Sequence, residues 1–178
     1  VLVNATVSFR DHGRLAVISA FVDVVEQDTA EGGLPVVDPG PPAVEELVER
    51  LADRDDCVLG LLTGNFETTG RLKLAHFGLD RHFSFGAFAG DDGDRNRLVP
   101  IAVERAESHL GRRIGLGRHV VVIGDTPRDV ECALIHGATA IGVAASGYSA
   151  DELDAAGAHH VLPSLEDIDA FMAAIAPI

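Results

Sequence analysis

The sequence predicts a three-layer α/β fold on a mostly parallel β-sheet, and three observations carry that expectation. Val120–Ile123 is an unbroken apolar run that ends at Gly124-Asp125, the pattern of a strand buried on both faces in a sheet covered by helices. Strand-like and helix-like segments alternate along most of the chain with short connections, which specifies right-handed βαβ crossovers. Two of the apolar runs also deliver small polar residues to their carboxyl ends, Thr63-Gly64-Asn65 after Val58–Leu62 and Asp125 after Ile123. Ligand sites in such sheets lie at that edge.

Taken in order, Val1–Phe9 is β-prone. Leu15–Val25 is apolar enough for a buried helix or a strand pair, which periodicity does not separate; a helix is the expected form. From Asp28 to Pro42 the composition shifts to Gly, Pro, Asp and Thr, and Asp38-Pro39-Gly40-Pro41-Pro42 reads as loop. This boundary divides an N-terminal segment, 1–38, from an α/β core, 39–178. Val44, Leu47, Val48 and Leu51 recur at helical spacing opposite Glu45, Glu46, Glu49 and Arg50, so an amphipathic helix follows. Val58–Leu62 is the next strand, and the helix after it, with Leu72, Leu74 and Phe77, stops at Gly78.

Phe83–Phe88 reads as a further strand, followed by the polar loop Gly90–Asn96 and a helix over Leu98–Leu110. The helix after Val120–Ile123 opens near Pro127, carries Val130, Ala133 and Leu134 on one side, and closes at His136-Gly137. Ala138–Val143 makes another strand, and Ser149 with Glu152 is a capping-box pattern opening a helix that ends at Gly157. His160–Leu162 is a last short strand, and Ser164 with Asp167 resembles a cap for the final helix to Ile175.

Composition narrows the function classes. At 178 residues with 47% hydrophobic content the chain can bury a good core. Fourteen basic against 28 acidic residues give a formal charge of -14, which disfavours nucleic acid and anionic membrane as partners. Any phosphate bound here must be small and held locally. Cys57 and Cys132 stand far apart and make neither a disulfide framework nor a metal knuckle, which fits a reducing compartment. No apolar run reaches transmembrane length, and VLVNATVSFRDHG lacks the regions of a signal peptide. The expected location is cytoplasmic.

Chemistry concentrates at the strand ends. Asp125 and Asp129, four apart where a strand gives way to a helix, offer hard oxygen ligands suited to Mg²⁺; the plainer alternative is that they cap the helix. Thr63 and Asn65, with the N–H groups of the following helix, make a small anion cradle, or else an ordinary capped turn. Arg95 and Arg97 lie on the loop after the third strand, within reach of a phosphate there. For Arg97 a solvated charge is the preferred reading.

Read together, Leu61-Leu62-Thr63-Gly64-Asn65, then Asp94-Arg95-Asn96, then Gly124-Asp125-Thr126-Pro127-Arg128-Asp129, the chain from about Pro39 onward resembles the haloacid dehalogenase (HAD) superfamily of phosphatases. Within it, the run LLTGNFETTGRLKLAHFGLDRHF is similar to phosphoglycolate-phosphatase-like hydrolases. The resemblance implies a Rossmann-like parallel sheet under a mobile cap and a small phosphorylated metabolite as substrate. It implies that Thr63 binds the transferring phosphoryl group and that Gly64 and Asn65 shape its loop. Arg95 would replace the usual lysine that neutralises phosphate and nucleophile, and Asp125 and Asp129 would hold Mg²⁺ directly or through water.

The chain departs from the family pattern at its start. The DxDGT-type motif that supplies the nucleophilic Asp and the acid/base Asp follows no apolar strand here. The nearest match, VLVNATVS, puts Asn4 at the nucleophile position and Thr6 at the acid/base position, and neither side chain can do that chemistry near neutral pH. Either the N-terminal part has diverged into an inactive version, or the chain is a fragment or altered product of a longer enzyme whose catalytic strand is missing. The segment before Pro39 is also short for a helical cap, so the cap is expected to be reduced or absent, with Leu15–Gln27 as a remnant at most. The expected function is Mg²⁺-dependent hydrolysis of a small, phosphoglycolate-like phosphomonoester, impaired or lost in this chain, with metal binding weakened by the missing carboxylates. A non-catalytic phosphate-binding or protein-interaction module on the same fold is the alternative. A receiver-like or nucleotide-binding domain is disfavoured, because no GxGxxG or Walker loop follows any strand.

Overall fold

A computed structural model describes residues 2–9, 14–21, 42–145 and 147–176. Seven strands form one sheet: β1 (Leu2–Phe9), β2 (Arg14–Phe21), β3 (Leu59–Leu62), β4 (Phe85–Ala87), β5 (Val120–Gly124), β6 (Thr139–Val143) and β7 (His160–Leu162). Their spatial order is β4-β3-β1-β2-β5-β6-β7. Every neighbouring pair is parallel except those of β1, which runs antiparallel to both β2 and β3. Six helices complete the described fold: α1 (Pro42–Ala52), α2 (Glu67–His76), α3 (Leu98–Leu110), α4 (Pro127–Ile135), α5 (Ala150–Ala155) and α6 (Ile168–Ala174). None of them is long and apolar enough to cross a membrane.

The three layers follow from alternation along the buried strands. Leu61, Val121, Ile123 and Ile141 point into a core with Leu47 and Leu51 of α1 and Phe171 of α6. Their neighbours Leu62, Val120, Val122 and Ala140 point the other way, onto Val99 of α3, Val130 and Ala133 of α4 and Leu153 of α5. Side chains of period two thus feed two separate cores, as a sheet covered on both faces requires.

The N-terminal half of the sheet differs from expectation. Arg14–Phe21 is a strand, not the helix expected over Leu15–Val25. An apolar run this short is compatible with either form, and sheet pairing decides: β2 gives β1 an antiparallel partner along its whole length and pairs in parallel with Val120–Val122 of β5. It therefore lies in the sheet, and residues 15–21 are not a cap over the site; the rest of that remnant, with the loop before residue 42, lies outside the described residues. The centre of the sheet, between β3 and β5, is occupied by β1 and β2. Two smaller corrections concern ends. The strand expected over Phe83–Phe88 is confined to Phe85–Ala87, because Asp80–His82 forms a 3₁₀ turn before it. The cap of α6 is Asp167, whose Oδ1 accepts from the Ala170 N–H at 2.9 Å, while Ser164 Oγ accepts from Glu166 N–H at 3.2 Å.

Two contacts hold the edge loops in place. Asp91 accepts Arg105 Nη1 and Nη2 at 2.6 and 2.7 Å and the Phe88 N–H at 2.9 Å, and Arg105 Nη1 also donates to Gly86 O at 2.6 Å. This ties the loop after β4 to α3. On the other side, the first turn of α4 sits directly on the end of β5: a Cβ built on Gly124 would lie 2.1 Å from Asp129 Cβ. Only glycine permits that approach, since the atom it would meet is anchored next to the backbone.

Gly124→Ala should therefore cost about 3 kcal/mol of stability, read as a lowered urea midpoint at unchanged slope; an unchanged midpoint would contradict the packing described. A second outcome concerns pH. The Arg105 guanidinium, aided by the Phe88 N–H, holds the Asp91 carboxyl below the usual carboxylate range. A depressed folded-state value means the contact stabilises above the unfolded value of about 3.9 and is lost as pH falls below it. The stability gap between wild type and Asp91→Asn should be present at about pH 7 and close on acidification below about pH 4; a gap that persists there would refute the assignment.

Candidate functional site

Among the described residues the buried polar or charged set is Thr63, Asp125, Asp129 and Thr139. The first three stand together at the carboxyl edge, which matters because buried polar groups are costly unless they are partnered. Thr63 follows β3, and its N–H continues the ladder to Ala87 O at 3.0 Å; the Asn65 carbonyl then accepts Ala89 N–H at 3.0 Å. The loops after β3 and β4 therefore run side by side. Thr63 Oγ1 accepts two hydrogen bonds, from the Asn65 N–H at 3.1 Å and Asn65 Nδ2 at 2.9 Å. Asn65 Oδ1 in turn accepts Lys73 Nζ at 3.4 Å, and α2 begins behind Phe66 with no side-chain cap on its first turn.

Asp129 is the centre of the other half. Its Oδ2 accepts the Thr126 N–H at 3.1 Å and Thr126 Oγ1–H at 2.7 Å, while its own N–H donates back to Thr126 Oγ1 at 3.3 Å. This is a reciprocal capping box at the start of α4. Asp129 Oδ1 pairs with Arg95 Nη2, across to the loop after β4. The other end of the guanidinium lies over the loop after β3, with Arg95 Nη1 3.6 Å from where a Gly64 Cβ would be. One arginine side chain therefore connects all three edge loops. Arg95 is carried by the 3₁₀ turn Arg95–Arg97, capped by Asp94, whose Oδ1 accepts Asn96 N–H at 3.0 Å.

Of the predicted residues, Thr63, Gly64, Asn65, Arg95, Asp125 and Asp129 lie at the three edge loops, while Arg97, on the turn of Arg95, faces away from them and Asn4 and Thr6 lie in β1. Arg97 points to solvent, paired at 3.3 Å with Asp92. Asn4 lies in β1 opposite Leu62 on one side and Ser19 on the other. Because β1 is antiparallel, its start and not its end lies level with the end of β3. Thr6 is opposite Gly60, deeper in the sheet, and not beyond the edge as the family order would have placed it. Cys132 offers no nucleophile in place of the missing Asp: burial pushes its thiol up to about 12, so it stays protonated at neutral pH.

For a metal, Asp125 and Asp129 are the carboxylates at the edge, and no group of three or more His, Cys, Asp or Glu side chains converges among the described residues. Asp129 is committed on both oxygens to Thr126 and Arg95, which suits an anchor. Asp125, on the turn between β5 and α4, fits a hard cation that keeps much of its water and uses one or two carboxylates. Sequence reading missed Thr126, although T-x-x-D is a legible capping signature, and Lys73, whose helix position gave no signal of its contact with Asn65.

The sequence profile of the hydrolase family described as haloacid dehalogenase-like matches residues 6–137. Tyrosine-protein kinase PtkA of Mycobacterium tuberculosis and its namesake in Mycobacterium bovis are each 34% identical to the chain over 97 residues, 54% of this chain and 32% of theirs. The chain thus spans about a third of the length of the curated relatives it matches. The crystal structure of a predicted phosphatase from Clostridium acetobutylicum superposes with a TM-score of 0.59 at 22% identity, covering 74% of this chain and 59% of that one; at that identity the likeness speaks for the fold. The family match spans most of the sheet and the edge loops that hold Thr63, Arg95, Asp125 and Asp129, and the chain belongs to the haloacid dehalogenase-like hydrolases.

Proposed function

We propose that this chain binds a small phosphomonoester at the sheet edge as a phosphatase-type HAD domain, and that its own turnover is impaired. The observation that carries the reading is the Arg95 guanidinium spanning from Gly64 to Asp129. It sets a fixed positive charge over the loop that carries Thr63, Gly64 and Asn65 and leads into the first turn of α2, which no side chain caps. That is a donor set for a phosphoryl oxygen, and phosphoryl transfer depends mainly on positioning and charge neutralisation. Thr63 would donate to the phosphoryl group, Asn65 would hold the Thr63 hydroxyl in orientation, and Arg95 would neutralise charge. Mg²⁺ would be held by Asp125, with Asp129 behind it, and when bound would supply a Lewis acid for the phosphoryl oxygens.

Impairment rests on the strands between β3 and β5. Neither β1 (LVNATVSF) nor β2 (RLAVISAF) carries an Asp or Glu, so no described strand there delivers the carboxylate that would accept the phosphoryl group. The phosphoglycolate-like substrate class and the cytoplasmic setting belong to the same reading. A second reading has its own support: the matched relatives are named tyrosine-protein kinases, and the same anion-binding edge could serve phosphoryl transfer to a protein. A purely phosphate-binding or interaction module is the limiting case in which no transfer occurs.

Steady-state assays with p-nitrophenyl phosphate and Mg²⁺, paired with calorimetric Mg²⁺ titration, separate these readings. The expected result is weak Mg²⁺ binding that disappears in Asp125→Ala, with turnover of the wild type no faster than that of the variant. Robust hydrolysis abolished by Asp125→Ala would overturn the impairment. Metal binding unchanged in Asp125→Ala would remove the metal site. Transfer from ATP to a tyrosine-containing polymer that Arg95→Ala abolishes would favour the kinase reading.

A further inference from the structure

We infer that His136 is a positioning residue for Arg95, holding from behind the turn that carries the guanidinium. The inference rests on the reading of Arg95 as a phosphate ligand and adds to it the element that sets the arginine's place. His136 is the C-cap of α4, 40 residues in sequence from its partner, and its Nε2 lies 2.6 Å from the carbonyl oxygen of Asn96. A carbonyl can only accept, so Nε2 carries the proton and donates. The other hydrogen bonds of the turn are local: Asp94 Oδ1 with Asn96 N–H, Asp94 O with Arg97 N–H at 3.0 Å, and Asp92 Oδ1 with Asp94 N–H at 2.9 Å. They shape the turn itself, while upstream the Asp91–Arg105 pair braces the same loop to α3. His136 provides a tie through the backbone, and Asp129 provides one through the Arg95 side chain.

Both ties come from α4, one from its first turn and one from its last. The direction of the histidine ring follows from how the helix stops. His136 N–H bonds Ala133 O at 3.1 Å, and Gly137 at φ +66° turns the chain away toward β6. The ring is thereby left half-buried against the 3₁₀ turn. Releasing the Asn96 carbonyl would let the turn move while the Asp129 pair pulls on its side chain alone, and the guanidinium would lose its place over Gly64.

The test uses the full chain with His136→Ala, His136→Gln, Arg95→Ala and the double variant Arg95→Ala/His136→Ala. Two measurements are made: amide hydrogen exchange at Asn96 and Arg97, and calorimetric titration with inorganic phosphate. His136→Ala should speed exchange at those amides and weaken phosphate binding about fivefold, the scale of one hydrogen bond. His136→Gln, whose side-chain amide can donate to the same carbonyl, should restore both. In the Arg95→Ala background the histidine change should add nothing to the loss, because it acts through that arginine.

Unchanged exchange in His136→Ala would overturn the proposal. So would a phosphate loss that adds in full to that of Arg95→Ala, or one that His136→Gln fails to recover. If Arg95→Ala leaves phosphate binding intact, the phosphate-ligand reading of Arg95 fails by itself, and the exchange result still decides whether His136 holds the turn.

Discussion

The structure around the sheet edge depends on one buried carboxylate, Asp129. It is 1% exposed, and an ionised carboxylate at such a depth is tolerated only when it is paired and hydrogen-bonded. Thr126 and Arg95 supply that pairing from opposite sides, one oxygen each. The same residue therefore starts α4, draws in the turn after β4 and fixes a guanidinium above the loop after β3. Removing Arg95 would take the paired positive charge from a buried carboxylate, and removing Thr126 would take its cap, so the local fold and the charge of the site are set by the same contacts.

Gly124 belongs to this constraint. The carboxylate can reach its position only because the end of β5 carries no side chain, and a Cβ there would meet the stem of Asp129 at 2.1 Å. The glycine's value is space and not an unusual backbone angle. Asp91 and Arg105 play a comparable part on the neighbouring loop, bracing it to α3 so that Arg95 is presented from a held base. The proposed anion site would depend on donors already in position, since each one ordered on binding would cost entropy.

Much of this was legible in the sequence, for physical reasons that particular residues show. Val120–Ile123 and Val58–Leu62 read as strands because continuous apolar runs buried on both faces have few other homes, and the ends at Gly78 and Gly137 read correctly because glycine tolerates the left-handed turn each adopts. The gathering of Thr63, Asn65, Arg95, Asp125 and Asp129 followed from topology, which puts the ends of the parallel strands β3, β4 and β5 at one edge. The helix expected over Leu15–Val25 was misjudged because its periodicity does not separate helix from strand, and the pairing that decides, with β1 just before it and β5 about a hundred residues on, is a matter of tertiary contact. The arrangement of Asp129 was open: the capping role weighed against a metal role is there in Oδ2, while Oδ1 meets Arg95, a pairing that helix-start chemistry does not reveal. His136 and Lys73 were invisible, since a single polar side chain at a helix end or face says nothing about which loop packs against it.

The central claim is that the edge built around Arg95 and Asp129 is a phosphate site. Its most direct measurement is a titration of the isotope-labelled chain with inorganic phosphate, followed by nuclear magnetic resonance. The account predicts saturable shifts at the amides of Thr63, Gly64 and Asn65 and at the Arg95 side-chain Nε–H, all lost when Asp129 is replaced by Asn. Shifts confined to other surfaces, or undiminished in Asp129→Asn, would contradict it.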